Sequence, residues 1–174
     1  RIDNNVFTQR FQNFKAIYAE GVTEVGSFAF QETGSLNFAH LPKLKKLGEA
    51  VFTDNASLTA VNFPLLEEIG HICFNGGSNI SGNGLKISYI SLPAVKKIGR
   101  GAFHGNYKNS GVAVLLGAMP EVDFTPYSDD DPFHDGNVAF GQMKDPILYV
   151  TPANKATYQI TDGKWKNFTV KELK

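Results

Sequence analysis

This sequence predicts a solenoid: short stacked parallel β-strands, mostly β with little helix, closed by a C-terminal cap with one short helix. Three observations carry that expectation. Gly26, Gly48, Gly70 and Gly99 each follow a branched aliphatic residue, and each is followed four residues later by Phe30, Phe52, Phe74 or Phe103. Pro42, Pro64 and Pro93 stand six residues before the last three of those glycines. Upstream of each proline runs an LxxLxL-like segment: Leu36-Ala39-Leu41, Leu58-Val61-Phe63 and Ile87-Ile90-Leu92.

The frame opens at "IDNNVF", Ile2 to Phe7, with Asp3 in the glycine position. Phe14-Ile17-Ala19 then leads into Val25-Gly26, with Glu20 where proline stands in later units. The next glycines follow at intervals of 22, 22 and 29 residues. A last unit opens with Val114-Gly117-Met119-Pro120-Val122 and degenerates, with Thr125-Pro126 in place of the aliphatic–glycine pair. Residues 1–128 read as a solenoid of about five rungs, the first and last incomplete. Residues 129–174 read as a C-terminal capping region of the same structural unit. There Thr151 caps a helix with Pro152 at its first position, running to about Gln159, and Tyr158, Trp165 and Phe168 cover the last rung. No N-terminal cap is legible, so more repeats or another module are expected before Arg1.

The physics follows from the period. A unit of about 22 residues cannot bury its own apolar face, whereas stacked units share one core. Alternating apolar residues suit a strand that pairs with its equivalent one rung away. Proline ends that strand because it has no N–H to donate. The glycine marks either a bend with positive φ or a close backbone approach. Cys73 shares its column with Ala29, Val51 and Ala102, which makes it a small buried hydrophobe in preference to a reactive thiol. Before each aliphatic come Thr23-Glu24, Lys45-Lys46, Glu67-Glu68 and Lys96-Lys97, so charge alternates from rung to rung and fixes register.

Composition excludes several classes. The chain has 174 residues, is 42% hydrophobic and carries a formal net charge of +0, which argues against disorder and against nucleic acid as a partner. No apolar run approaches the roughly 20 residues of a membrane-spanning helix, so no membrane insertion by this segment is expected. Its single cysteine cannot form an intramolecular disulfide. His40, His71, His104 and His134 fall on different columns without metal-ligand spacing. "SDDDPFHDG", with Asp129, Asp130, Asp131 and Asp135, lacks the EF-hand order and reads as a solvated acidic loop. No cofactor, metal or nucleophile–base set is expected, and the chain does not read as an enzyme. Asn55, Asn79 and Asn167 stand in Asn-x-Ser/Thr sequons.

These columns resemble the BspA-like leucine-rich-repeat family, whose hallmark is an aliphatic-Gly-x-x-Ala-Phe segment alternating with LxxLxLP. The likeness covers about residues 14 to 122, and the tail from Ile147 to Phe168 is similar to endings in such proteins. The resemblance implies a leucine-rich-repeat solenoid that is secreted or at the cell surface, with a non-catalytic role in adhesion or protein recognition.

Between the core residues of each LxxLxL strand lie outward positions: Ala16 and Tyr18, Phe38 and His40, Ala60 and Asn62, Tyr89 and Ser91, Leu116 and Ala118. Of these, Tyr18, Phe38, His40, Asn62, Tyr89 and Ser91 form the candidate binding surface, since an exposed aromatic stripe is a recognition feature. A host or extracellular protein is the favoured partner, a glycan the second class, and a passive spacer projecting another domain the third. Two insertions, Gly76 to Gly84 and Asn106 to Gly111, are the second candidate surface, read first as tolerated loops. The chain is expected to be a monomer, with weak self-pairing of an exposed terminal rung as the alternative.

Overall fold

The computed structural model describes residues 1–8, 11, 13–76, 85–105, 111–125, 138–140, 143–158 and 160–173. The insertions at 77–84 and 106–110, the acidic residues Asp129, Asp130, Asp131 and Asp135, His134, and the Asn79 sequon lie outside the described residues.

Two rows of short strands alternate along the chain. One row contains β1 (Ala16–Tyr18), β3 (Phe38–His40), β5 (Ala60–Asn62), β7 (Tyr89–Leu92), β9 (Ala113–Leu116) and β11 (Ile147–Val150). The other contains β2 (Glu24–Val25), β4 (Lys46–Leu47), β6 (Glu68–Ile69), β8 (Lys97–Ile98) and β10 (Glu121–Val122). After β11 come helix α1 (Pro152–Lys155), β12 (Lys164–Trp165) and β13 (Phe168–Glu172). The second row is one parallel sheet in the order β10-β8-β6-β4-β2. The first row divides into β1-β3-β5 and β12-β13-β11-β9-β7, parallel throughout except for the final β12/β13 pair. This is a parallel β-solenoid, the fold that the repeat predicts, with about six turns where about five rungs were expected.

Side chains at the repeat's apolar positions fill the interior. Leu36, Ala39 and Leu41, then Leu58 and Phe63, then Ile87, Ile90 and Leu92 are buried, as are Val25, Leu47, Ile69 and Ile98. The phenylalanine column forms a stack that starts one rung earlier than Phe30 and ends one rung later than Phe103. Successive centroids from Phe7 to Phe30, Phe52, Phe74, Phe103 and Phe140 lie 5.1, 5.6, 5.4, 5.2 and 5.3 Å apart, with the rings nearly parallel. Such pairs add about 0.5–1.5 kcal/mol each beyond their burial.

Close approach explains the glycine column. A Cβ on Gly70 would lie 2.3 Å from the Gly48 carbonyl oxygen, so adjacent rungs meet there backbone to backbone. The left-handed bend comes two residues later, at Asn5, Phe28, Ala50, Ile72 and Gly101, with φ of 58, 60, 52, 45 and 63°. Four of these five are not glycine, at a cost of roughly 1–2 kcal/mol apiece. The next rung holds them: the amides of Phe28, Ala50 and Ile72 donate to the carbonyls of Glu49, His71 and Arg100 at 2.8, 2.9 and 3.0 Å.

The last unit departs from the sequence reading. Leu92 pairs with Leu116, which places Gly117 in the proline column, and Val122 pairs with Ile98, which places Asp123 in the glycine column. The aliphatic–glycine place is therefore held by Val122-Asp123, not by Thr125-Pro126. Leu116 is fully buried and Met119 is exposed, the reverse of the expectation. Strict alternation along Val112, Val114 and Leu116 decides the register, and Pro120, immediately before β10, imitates the repeat proline. Ala139-Phe140 supplies this unit's small residue and phenylalanine, with the amide of Phe103 donating to the Ala139 carbonyl at 2.7 Å.

At the C-terminal end, Trp165 and Phe168 meet Phe140 edge to face, at 68° and 88°, and Tyr158 packs on Trp165 at 90°. Helix α1 is shorter than expected, stopping at Lys155. Thr151 occupies its N-cap without a side-chain capping bond. Beyond the helix Tyr158 turns inward, where its hydroxyl donates to the Gly117 carbonyl at 3.2 Å.

Candidate functional site

The outward positions of the first strand row fall in two columns. One carries Phe38, in register with Ala16 and Ala60. The other carries Tyr18, His40 and Asn62. Each strand alternates because successive side chains leave opposite faces: Ile17, Ala39 and Ile90 point inward, and their neighbours face out.

Four of the six candidate residues come together. The Tyr18 ring is 72% exposed and lies 5.5 Å from the half-buried Phe38 ring, tilted by 55°. His40 lies beside both, its ring 6.1 Å from Tyr18 and 6.3 Å from Phe38. Asn62 Nδ2 lies 2.8 Å from His40 Nδ1. The remaining two stand apart on β7, where Tyr89 is 50% exposed and Ser91 is half-buried. In the repeat frame Tyr89 follows Phe38 and Ala60, so the aromatic column is interrupted by a small residue.

Three further side chains belong to this face. Glu20 Oε1 lies 3.2 Å from His40 Nε2. Glu20 stands where later rungs carry proline, so the first rung's departure from the repeat is what supplies this carboxylate. Leu115 continues the Ser91 column in place of Leu116, and Tyr149 follows it on β11. The expected outward pair Leu116 and Ala118 is thereby replaced by Ala113 and Leu115. Alternation within "ILYV" was the available signal for Tyr149.

The second row presents a different surface. An open groove of about 690 Å³ runs over Gly48, Gly70 and Gly99, beside Lys46, Glu68, Lys97 and Glu121. Its lysines are already paired: Lys46 Nζ lies 2.8 Å from Glu68 and Lys97 Nζ 3.9 Å from Glu121. Glu67 similarly receives Lys96 and Lys45. Hydrogen bonding by Lys46 and Lys96 holds the Glu68 and Glu67 carboxyls below the usual carboxylate range. Alternating charge along this row is structural, as its sequence pattern implies, and leaves no concentrated positive charge for an anion.

Burial pushes the Cys73 thiol up to about 12, which removes it as a nucleophile. Among the described residues no group of three His, Cys, Asp or Glu is placed to hold a metal ion. Asn55 is buried, its amide donating to the Phe30 carbonyl at 2.7 Å, so its sequon is inaccessible in the folded chain. Among the described residues no helix is long and apolar enough to cross a membrane.

A family model described as the BspA type leucine-rich repeat region matches residues 1–108 in six copies. No curated protein and no solved structure matches the chain. Repeats of this type point to an interaction module, typically a non-catalytic scaffold, in surface or secreted proteins. The matched residues are the same glycine, phenylalanine and strand columns that stack in the structure, and the chain belongs to the BspA-type leucine-rich-repeat family.

Proposed function

We propose that this chain is a non-catalytic recognition and adhesion module, displayed outside the cell, that binds a protein partner through its first strand row. The observation that carries the reading is the Tyr18–Phe38 pair. Two rings lie side by side at 5.5 Å, and one of them is mostly exposed on a regular surface that its own core does not need. Exposed aromatic anchors beside satisfied polar groups are what protein hot spots are made of. Leu115, Tyr89 and Tyr149 extend the same face along later rungs.

Binding to extracellular-matrix and host cell-surface proteins tests the reading, with Tyr18→Ala/Phe38→Ala measured beside the parent chain. The variant is expected to keep its fold and lose a hundredfold or more in affinity, since two central aromatic anchors contribute roughly 2 kcal/mol each or more. A partner bound equally well by both chains would move the site off this face. A glycan is the second reading, favoured by the rings standing against the Glu20–His40–Asn62 polar row: apolar sugar faces stack on rings while hydroxyls meet the polar groups. Signal on a glycan array, competed by free sugar, would select it over a protein.

A further inference from the structure

We infer that Glu20, His40 and Asn62 form a proton-dependent relay across three rungs that sets which hydrogen-bonding group the strand face displays, making recognition there differ between neutral and mildly acidic surroundings. This rests on the strand-face reading above and names its regulation.

The relay follows from donor and acceptor chemistry. An amide nitrogen can only donate, so Asn62 Nδ2, 2.8 Å from His40 Nδ1, requires that ring nitrogen to carry a lone pair. The ring proton of the neutral imidazole then sits on Nε2, 3.2 Å from Glu20 Oε1, and donates to that carboxylate. Both nitrogens are satisfied in this one tautomer, and Asn62 Oδ1 is left facing outward as an acceptor.

Protonation breaks the arrangement at one point. The added proton goes to Nδ1, which becomes a donor facing the Asn62 donor. Rotation of the amide by half a turn relieves the conflict: Oδ1 then accepts from Nδ1, and Nδ2 turns outward. The strand face exchanges an acceptor for a donor, and the imidazole gains a positive charge beside Tyr18 and Phe38. Glu20 keeps its hydrogen bond in both states. Few groups compete for control. Facing His40 are Glu20 and the Tyr18 ring from the rung before, the uncharged Asn62 from the rung after, and the Phe38 ring on its own strand. Histidine is the side chain whose charge ordinarily changes between pH 5 and 8.

The feature is specific to this end of the solenoid. Its carboxylate stands where later rungs have proline or Gly117, and the equivalent places after Asn62 hold Ser91 and Leu115, which cannot relay a proton change. Among the described residues, only the rungs of β1, β3 and β5 have the set.

The test is a titration of the isotope-labelled whole chain by NMR from pH 8 to pH 5, following the Asn62 side-chain amide and the His40 ring carbons. The Asn62 amide signals are expected to move with the same midpoint as the His40 ring. His40→Gln should abolish that movement. An Asn62 amide that stays fixed while His40 titrates would overturn the relay, as would an amide that still moves in His40→Gln. Neither outcome needs a ligand, so failure here is distinct from failure of the strand-face reading, which the Tyr18→Ala/Phe38→Ala comparison decides.

Discussion

The two strand rows of this solenoid are built from the same rungs and spend their side chains differently. On the second row the rungs of β4, β6 and β8 repeat one another: a buried aliphatic, a glycine pressed against the glycine before it, and a charge opposite to the last. On the first row the buried positions repeat and the outward ones do not, running Tyr18, His40, Asn62, Ser91, Leu115 and Tyr149. Regularity marks what stacking demands, because a column tolerates only residues that fit above and below. Irregularity marks positions that stacking leaves free, and the candidate site is made wholly of those.

Substitutions can break that contrast. The largest effect is expected in the shared core: Phe74→Ala, in the middle of the ring stack, should cost about 4 kcal/mol in denaturant unfolding. A loss below about 1 kcal/mol would mean that the stack is dispensable. Next comes Gly70→Ala, whose added methyl meets the Gly48 carbonyl oxygen at 2.3 Å. About 3 kcal/mol is expected, because neither backbone can withdraw without opening the rung. Tyr18→Ala/Phe38→Ala should change stability by only about 1 kcal/mol while removing binding; a collapse of the fold would make these residues architectural.

The smallest effect belongs to the charge ladder. The carboxyls of Glu67 and Glu68 sit below their ordinary range because lysines hydrogen-bond to them. Their contribution is therefore present above the ordinary carboxylate value and is lost as pH falls through the folded-state value. Melting curves of the parent chain and of Glu67→Gln/Glu68→Gln should differ slightly at pH 7 and low salt. They should converge at acid pH, once both carboxyls are protonated, and in high salt. A constant difference across pH would assign these residues a packing role instead.

What the sequence reveals follows the same division. The aliphatic, glycine and phenylalanine columns were readable because each core position needs one residue type, rung after rung. The last unit was not, since Pro120 offers a false anchor and 16 residues separate Asp123 from Phe140 where the repeat has three. Nor was the left-handed column, occupied by Asn5, Phe28, Ala50, Ile72 and Gly101. Inter-rung hydrogen bonds impose that conformation, so composition carries no trace of it. Tyr18, Phe38, His40 and Asn62 could be assigned to an outward face from alternation alone. Their grouping with Glu20 could not, because it joins residues one rung apart through an exception to the repeat.

The alternating ladder has a consequence for how such an array can change length. Glu24, Lys46, Glu68, Lys97 and Glu121 stand in successive rungs. Excising the single rung that carries Glu68 would set Lys46 against Lys97, like against like. Excising the two that carry Lys46 and Glu68 would set Glu24 against Lys97 and restore the pattern. The solenoid thus has a parity: unequal recombination between its repeats meets less electrostatic opposition when rungs leave or enter in pairs.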